Sequence, residues 1–329
     1  MCMEERALGR TGRKTSVIGL GTWQLGADWG QVSDESAHAT LQAAVDAGIT
    51  FIDTADVYGD GRSERAIGRL LSEQPDSGLT VATKMGRRAP QDPAQFTLEN
   101  FRAWTDRSRA NLGVDTLDLV QLHCPPSAVY SADSVYDALD TLVADGAVSS
   151  YGVSVETCDE ALTAIARPGV ATVQIILNAF RLKPLDEVLP RAQRAGVGVI
   201  ARVPLASGLL SGHYDETTRF GADDHRTYNR RGEAFDVGET FSGVEFATGL
   251  RAVRQLAPMV PVGATMAQFA LRWIIDQPGV SVVIPGARNP AQAQANAGAA
   301  ILPRLLAEEH DAVRQVYDEL IRPQVHHRW

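Results

Sequence analysis

Short apolar, β-branched runs recur along the chain, each closed by turn residues and followed by a stretch whose apolar positions return every three or four residues. The runs fall at 17–20, 49–54, 79–84, 117–123, 150–154, 171–177, 197–203 and 280–285. Several, such as VGVI at 197–200 and VSVVI at 280–284, are apolar throughout instead of alternating. That is the pattern of a parallel strand covered on both faces. Between them lie helical stripes. Ala37, Leu41, Ala44 and Val45 form one, with Asp34 and Glu35 at its start and Gly48 past its end. Ala66, Ile67, Leu70 and Leu71 repeat the spacing, and Phe101, Thr105, Ser108 and Leu112 give a weaker version. Val135, Ala138, Leu139, Leu142 and Val143 give a strong one closed by Gly146. Leu185, Val188, Leu189 and Ala192 follow, and later Met266, Phe269, Ala270, Trp273 and Ile274.

Eight strands alternating with helices, without a GxGxxG turn after the first, predict an α/β fold of the closed (β/α)8 TIM barrel type over an open dinucleotide-binding sheet. One domain over 1–329 is expected, since such barrels run to about 250 residues and beyond. Two segments break the alternation. Residues 6–16 read as an N-terminal β-hairpin, and 209–245 form a long loop after strand 7, rich in Gly, Thr, Asp and Arg. A loop of that length is usually a functional lid.

The composition, 44% hydrophobic and 22% charged, is that of a globular protein with one large core. The net charge of −9 without a basic run argues against nucleic acid or an anionic membrane as partner. Cys2, Cys124 and Cys158 show no CxxC spacing and no histidines at zinc-ligand intervals, so neither a disulfide framework nor a metal site is expected. His326 and His327 are too isolated to suggest one. The polar N-terminus lacks a secretory pattern, and no apolar run approaches the roughly 20 residues of a membrane span. A cytoplasmic location is the expectation.

Chemistry in such a barrel belongs where strands end at the C-terminal face. Asp53 ends the second strand, Lys84 the third and His123 the fourth, while Tyr58 lies five positions past Asp53 on the same rim. Singly, each has an ordinary reading: an Asp capping backbone amides, a solvated Lys, a rim Tyr, a strand-end His. Together they complement one another. A phenol is a slow acid at neutral pH, and a nearby ammonium favours its phenolate. Lys84 would supply the ammonium, lowering the pKa of Tyr58, with Asp53 holding Lys84 charged. His123 would hydrogen-bond the substrate oxygen. Such a group donates a proton to an oxygen on which charge develops.

The segments GLGTWQLG (19–26), FIDTADVYGDGRSERAIG (51–68), ATKMG (82–86), DLVQLHCP (118–125), YGVS (151–154), VPLASGLLSGHY (203–214) and VIPGARNPAQAQAN (283–296) resemble the aldo-keto reductase superfamily, in that family's order and over nearly the whole chain. The resemblance implies a TIM barrel, NADPH bound extended, and a catalytic tetrad falling on Asp53, Tyr58, Lys84 and His123. It also implies a cofactor track. Thr22, Trp23 and Asp53 would approach the nicotinamide and its ribose, and Ser154 and Gln174 would hold the carboxamide. Pro204, Leu205, Ser207, Gly208 and Leu210 would wrap the pyrophosphate. Gly286 and Arg288 would meet the 2′-phosphate, favouring NADPH over NADH, and Gln292 and Asn296 would reach the adenine.

Two positions depart from the family's pattern. Val155 stands where relatives commonly have Asn, and Arg202 where many have a tyrosine stacked on the nicotinamide. A guanidinium can stack on that ring, but its charge would disfavour the oxidised, cationic form. The substrate pocket is expected from 23–29, 87–96, 125–130 and 209–245, with Trp29 a better wall candidate than Trp104. Their mixture of aromatic and apolar groups suits a modest hydrophobic carbonyl compound, sugar-derived and steroid-like ones included. NADPH-dependent reduction of an aldehyde or ketone is the leading reading. The alternatives are an NADP(H)-binding redox-sensing subunit with slow or no turnover, and a Schiff-base lyase using Lys84, which a charged Lys84 would exclude.

Overall fold

The computed structural model describes residues 3–26 and 32–329. Its strands are β1 (Glu5–Ala7), β2 (Lys14–Ser16), β3 (Leu20–Gly21), β4 (Phe51–Asp53), β5 (Thr80–Met85), β6 (Leu119–His123), β7 (Tyr151–Ser154), β8 (Val170–Ile176), β9 (Gly198–Arg202) and β10 (Val280–Val283). β3 to β10 are parallel and pair strictly in chain order. Isolated parallel bridges Ile18–Val283 and Gly21–Gly286 join the two ends of the sheet, so the barrel closes. All eight expected runs are strands, mostly trimmed by one or two residues. The first differs: Ile18 contributes only the closing bridge, and the ladder begins at Leu20.

The expected helices also form. Asp34–Asp46, Arg62–Glu73, Leu98–Leu112, Asp133–Ala144, Cys158–Ile165 and Val188–Ala195 follow β3 to β8, and Met266–Ile275 and Pro290–Ala297 complete the ring. Several starts are fixed by side-chain caps: Ser33 and Thr97 each accept from a first-turn amide, and Thr157 with Glu160 forms a reciprocal capping box. Helix Cys158–Ile165, like Phe246–Leu256 and Ala307–Val316, has no counterpart among the predicted stripes.

The hairpin β1–β2 closes the barrel's N-terminal end. Its Leu8 is fully buried in one cluster with Phe51, Ala82, Leu119, Ile200 and Val282. Burying such a leucine stabilises by about 1.5–3 kcal/mol. That end is therefore filled with side chains, and a cavity within the barrel must open at the other.

The segment expected as a long loop is ordered into turns. A short helix His225–Tyr228 and 3-10 turns Val237–Glu239 and Phe241–Gly243 carry it back over the barrel mouth. Phe220, Phe241 and Phe246 pin it, with ring centroids 5.2 to 5.9 Å apart. No described helix is long and apolar enough to cross a membrane.

Candidate active site

Register delivers the rim. Gly21 pairs with Asp53, Lys84 with Gln121, His123 with Ser154, and Ser154 with Gln174, so these residues share the C-terminal edge. A cavity of about 690 Å³ opens there, and Asp53, Tyr58, His123, Ser154 and Gln174 line it. Lys84 does not; it lies behind Tyr58, 1% exposed.

Lys84 Nζ donates to Asp53 Oδ2 at 2.5 Å and to the Thr54 carbonyl at 2.8 Å, and stands 3.5 Å from the Tyr58 hydroxyl. The second Asp53 oxygen accepts from Gln174 Nε2 at 2.7 Å and Gln121 Nε2 at 3.3 Å. A buried carboxylate is tolerable only when paired and hydrogen-bonded in this way. Burial works against the Lys84 ammonium, but Asp53 and Tyr58 outweigh it and its pKa lies above the ordinary value. Lys84 is thus held charged, and a charged lysine is no Schiff-base nucleophile.

Tyr58 is set by close backbone approach. A Cβ on Gly26 would come 2.6 Å from the Tyr58 carbonyl carbon, and one on Gly59, at φ +59°, would collide with the Gly26 carbonyl oxygen. Glycine at both positions lets the two loops touch. The phenol ring meets His123 edge-on at 5.9 Å and lies 6.2 Å from Trp23. Burial raises the Tyr58 pKa, and Lys84 only partly offsets it. This corrects the expectation of a lowered value: desolvation wins, and the phenol stays protonated, as a proton donor must. His123 is pushed well below its usual pKa by burial, helped by Arg87, Lys84 and Arg202. It is a neutral imidazole, its Nδ1 buried without a hydrogen-bond partner.

The remaining expected residues line the cavity with one exception. Thr22, Trp23 and Arg202 flank the tetrad, while Pro204, Leu205, Ser207 and Gly208 follow β9. Gly286, Arg288, Gln292 and Asn296 form the far end. Leu210 does not belong there; it is fully buried in the main core. Its side chain points inward because the segment turns sharply: Val203, Ala206, Ser207 and Gly208 all have positive φ. Strain of that kind, about 1–3 kcal/mol per non-glycine residue, collects at ligand clamps. The Thr22 hydroxyl donates to the Asp53 carbonyl at 2.9 Å, and Gln292 accepts from the Arg288 amide at 2.9 Å.

The substrate-side expectations need more correction. Of 87–96 only Arg87 reaches the cavity, and none of 125–130 does. Trp104 packs with Phe96 and Phe101, at 6.1 and 5.8 Å. Trp29 lies outside the described residues. The segments 23–29 and 209–245 do line the cavity as expected, the first through Trp23 and Gln24 and the second through His225, Tyr228, Phe235 and Glu239 among others.

Arg202 is not a bare cation. Its guanidinium pairs with Glu156 at 2.8 Å and with Glu239, and donates to the Val155 carbonyl at 2.9 Å. Val155 thus contributes its backbone, which any residue could supply. Arg87 joins through Glu156 at 3.3 Å and donates to the His123 carbonyl at 3.1 Å. Two arginines and two carboxylates balance. Gln121 and Glu156 are absent from the sequence expectations, and Arg87 and Glu239 enter them only as members of the wall segments 87–96 and 209–245; Gln121 carries a signal, two residues before His123 on the same strand face.

Residues 17–318 match the model of the aldo/keto reductase family. Aldo-keto reductase YhdN of Bacillus subtilis is 30% identical over 89% of this chain and 87% of its own. A probable voltage-gated potassium channel subunit beta of Arabidopsis thaliana is 29% identical over 95% and 96%. Among solved structures, an aldo-keto reductase from Klebsiella pneumoniae in complex with NADPH superposes with a TM-score of 0.72, at 23% identity and 96% coverage of each chain. With that family match over nearly its whole length, the chain belongs to the aldo/keto reductase family and is an oxidoreductase.

Proposed function

We propose that the chain reduces an aldehyde or ketone to the alcohol with NADPH, Tyr58 giving the proton. The observation that carries this reading is the Tyr58 phenol lining the cavity beside neutral His123, with the buried Lys84–Asp53 pair behind it. NADPH, when bound, supplies the hydride to the carbonyl carbon. As charge grows on the carbonyl oxygen, Tyr58 delivers its proton there and Lys84, 3.5 Å away, stabilises the phenolate left behind. His123 orients the oxygen.

The cavity fits the dinucleotide. Ser154 offers a hydroxyl and Gln174 an amide oxygen, the donor and acceptor a carboxamide needs. Trp23 and Thr22, which line the cavity beside Asp53, would flank the nicotinamide ribose. The left-handed stretch through Pro204, Leu205, Ser207 and Gly208 brings backbone close to a pyrophosphate, as small residues and turned amides allow. Gly286 and Arg288 would meet the 2′-phosphate, and Gln292 and Asn296 the adenine. Arg202 would lie against the nicotinamide with its charge already matched by Glu156 and Glu239.

The reading takes 1–329 as one cytoplasmic domain acting on small carbonyl compounds. Steady-state NADPH oxidation across a panel of aldehydes, ketones and aldoses tests it, with turnover on at least one class expected. The second reading, a redox-sensing subunit, is supported by the likeness to the Arabidopsis channel subunit. Tight NADPH binding with negligible turnover over the whole panel would favour it.

A further inference from the structure

Glu239 reaches Arg202 from the end of a 3-10 turn, Val237–Glu239, and what holds that turn lies far along the chain. Trp329, 5% exposed, donates from Nε1 to both oxygens of Asp236, at 3.1 and 3.3 Å. The same carboxylate caps the turn, accepting from the Gly238 amide at 2.7 Å. A face of the indole carries Arg181, its guanidinium carbon 3.4 Å from the ring centroid. Both terminal nitrogens of Arg181 are buried without a hydrogen-bond partner, and this stacking together with the charges of Asp236 and Glu156 offsets its desolvation only in part.

The packing leaves no slack. A Cβ on Gly238 would stand 2.7 Å from Arg181, 2.8 Å from Asp236 and 3.1 Å from Trp329. One on Gly243, beyond the turn, would stand 2.5 Å from the Trp329 ring. Glu239 follows Gly238 directly. We infer that Trp329 is a positioning residue: with one face stacked on Arg181 and its Nε1 donating to Asp236, it fixes the turn that presents Glu239 to Arg202. In doing so it sets how much positive charge Arg202 shows to the cofactor ring.

This rests on the reading that the nicotinamide lies against Arg202. Loosening the clamp should expose that charge, which repels the cationic oxidised ring and not the neutral reduced one. Kd values for NADP+ and NADPH, measured by fluorescence on the intact protein, therefore give a ratio that general loss of structure does not move. Trp329→Ala should raise Kd(NADP+)/Kd(NADPH) by roughly three- to ten-fold, the scale of one partly solvated ion pair. Trp329→Phe, which keeps the stacking ring but lacks the donor, should fall between, and serves if the alanine variant fails to fold. Glu239→Gln should raise the ratio similarly, and Trp329→Ala added to it should raise it no further, the signature of two residues acting in series. A raised ratio in Glu239→Gln with an unchanged one in both Trp329 variants would overturn the positioning role alone. No change in Glu239→Gln would overturn the placement of the nicotinamide and the inference with it.

Discussion

Lys84 Nζ sits 2.5 Å from Asp53 Oδ2, and both side chains are almost completely removed from solvent. Neither charge is stable there without the other. Lys84→Met should therefore leave the Asp53 carboxylate buried and uncompensated, a loss of about 3–5 kcal/mol. Urea denaturation of the two proteins checks this. A loss below about 1 kcal/mol, the range of an exposed pair, would mean that water reaches Asp53.

Asp56 gives a stability that depends on pH. Its carboxylate is buried with both oxygens unpartnered. Burial, reinforced by Glu64 and partly offset by Arg88 and Arg107, pushes its pKa from 3.8 up to about 7. The folded chain thus holds this proton to higher pH than the unfolded chain does. Between pH 4 and 7 the folded state binds more protons, so stability falls as pH rises, by about 2–4 kcal/mol in all. Asp56→Asn removes the effect. The variant should match wild type near pH 4 and melt higher at pH 8, and a difference independent of pH would contradict the assignment.

His123 should be silent in the same range. Its pKa is held well below the usual value by burial and three neighbouring cations. It stays neutral from pH 8 down to pH 6, and kcat/KM for carbonyl reduction should show no break there. A break near 6.5, abolished in His123→Gln, would show an imidazole that titrates in the free enzyme.

Arg288 lines the end of the cavity away from Tyr58. If it clamps the 2′-phosphate, Arg288→Ala should weaken NADPH binding about 10- to 100-fold, the scale of charge-assisted hydrogen bonds. NADH, lacking that phosphate, should bind both proteins equally. Isothermal titration with each nucleotide separates the cases, and parallel losses would place the phosphate elsewhere.

The barrel is legible in the sequence because each of its strands announces itself in an apolar run and most of its helices in an apolar stripe. Asp53, Lys84 and His123 were legible for the same reason: they stand at strand ends, where register alone decides their meeting. Leu210 was misplaced because four positive-φ residues around it reverse the direction a regular turn would give. The segment 209–245 is legible as a lid and pocket wall, but not which of its residues, Glu239 and Phe235 among them, face the cavity; Trp329 and three phenylalanines decide that. The direction of the Tyr58 pKa was missed for a related reason. An ammonium nearby can be read from spacing, whereas depth of burial cannot.

Tyr58→Phe is the most direct test, because it deletes one oxygen and leaves the ring that packs against His123 and Trp23. Single-turnover reduction, followed by the disappearance of NADPH absorbance, should slow by about 10²- to 10⁴-fold, the share of a positioned general acid. NADPH affinity should stay within a factor of two, a shift of about 0.4 kcal/mol. Turnover at the wild-type rate would show that the proton comes from another group.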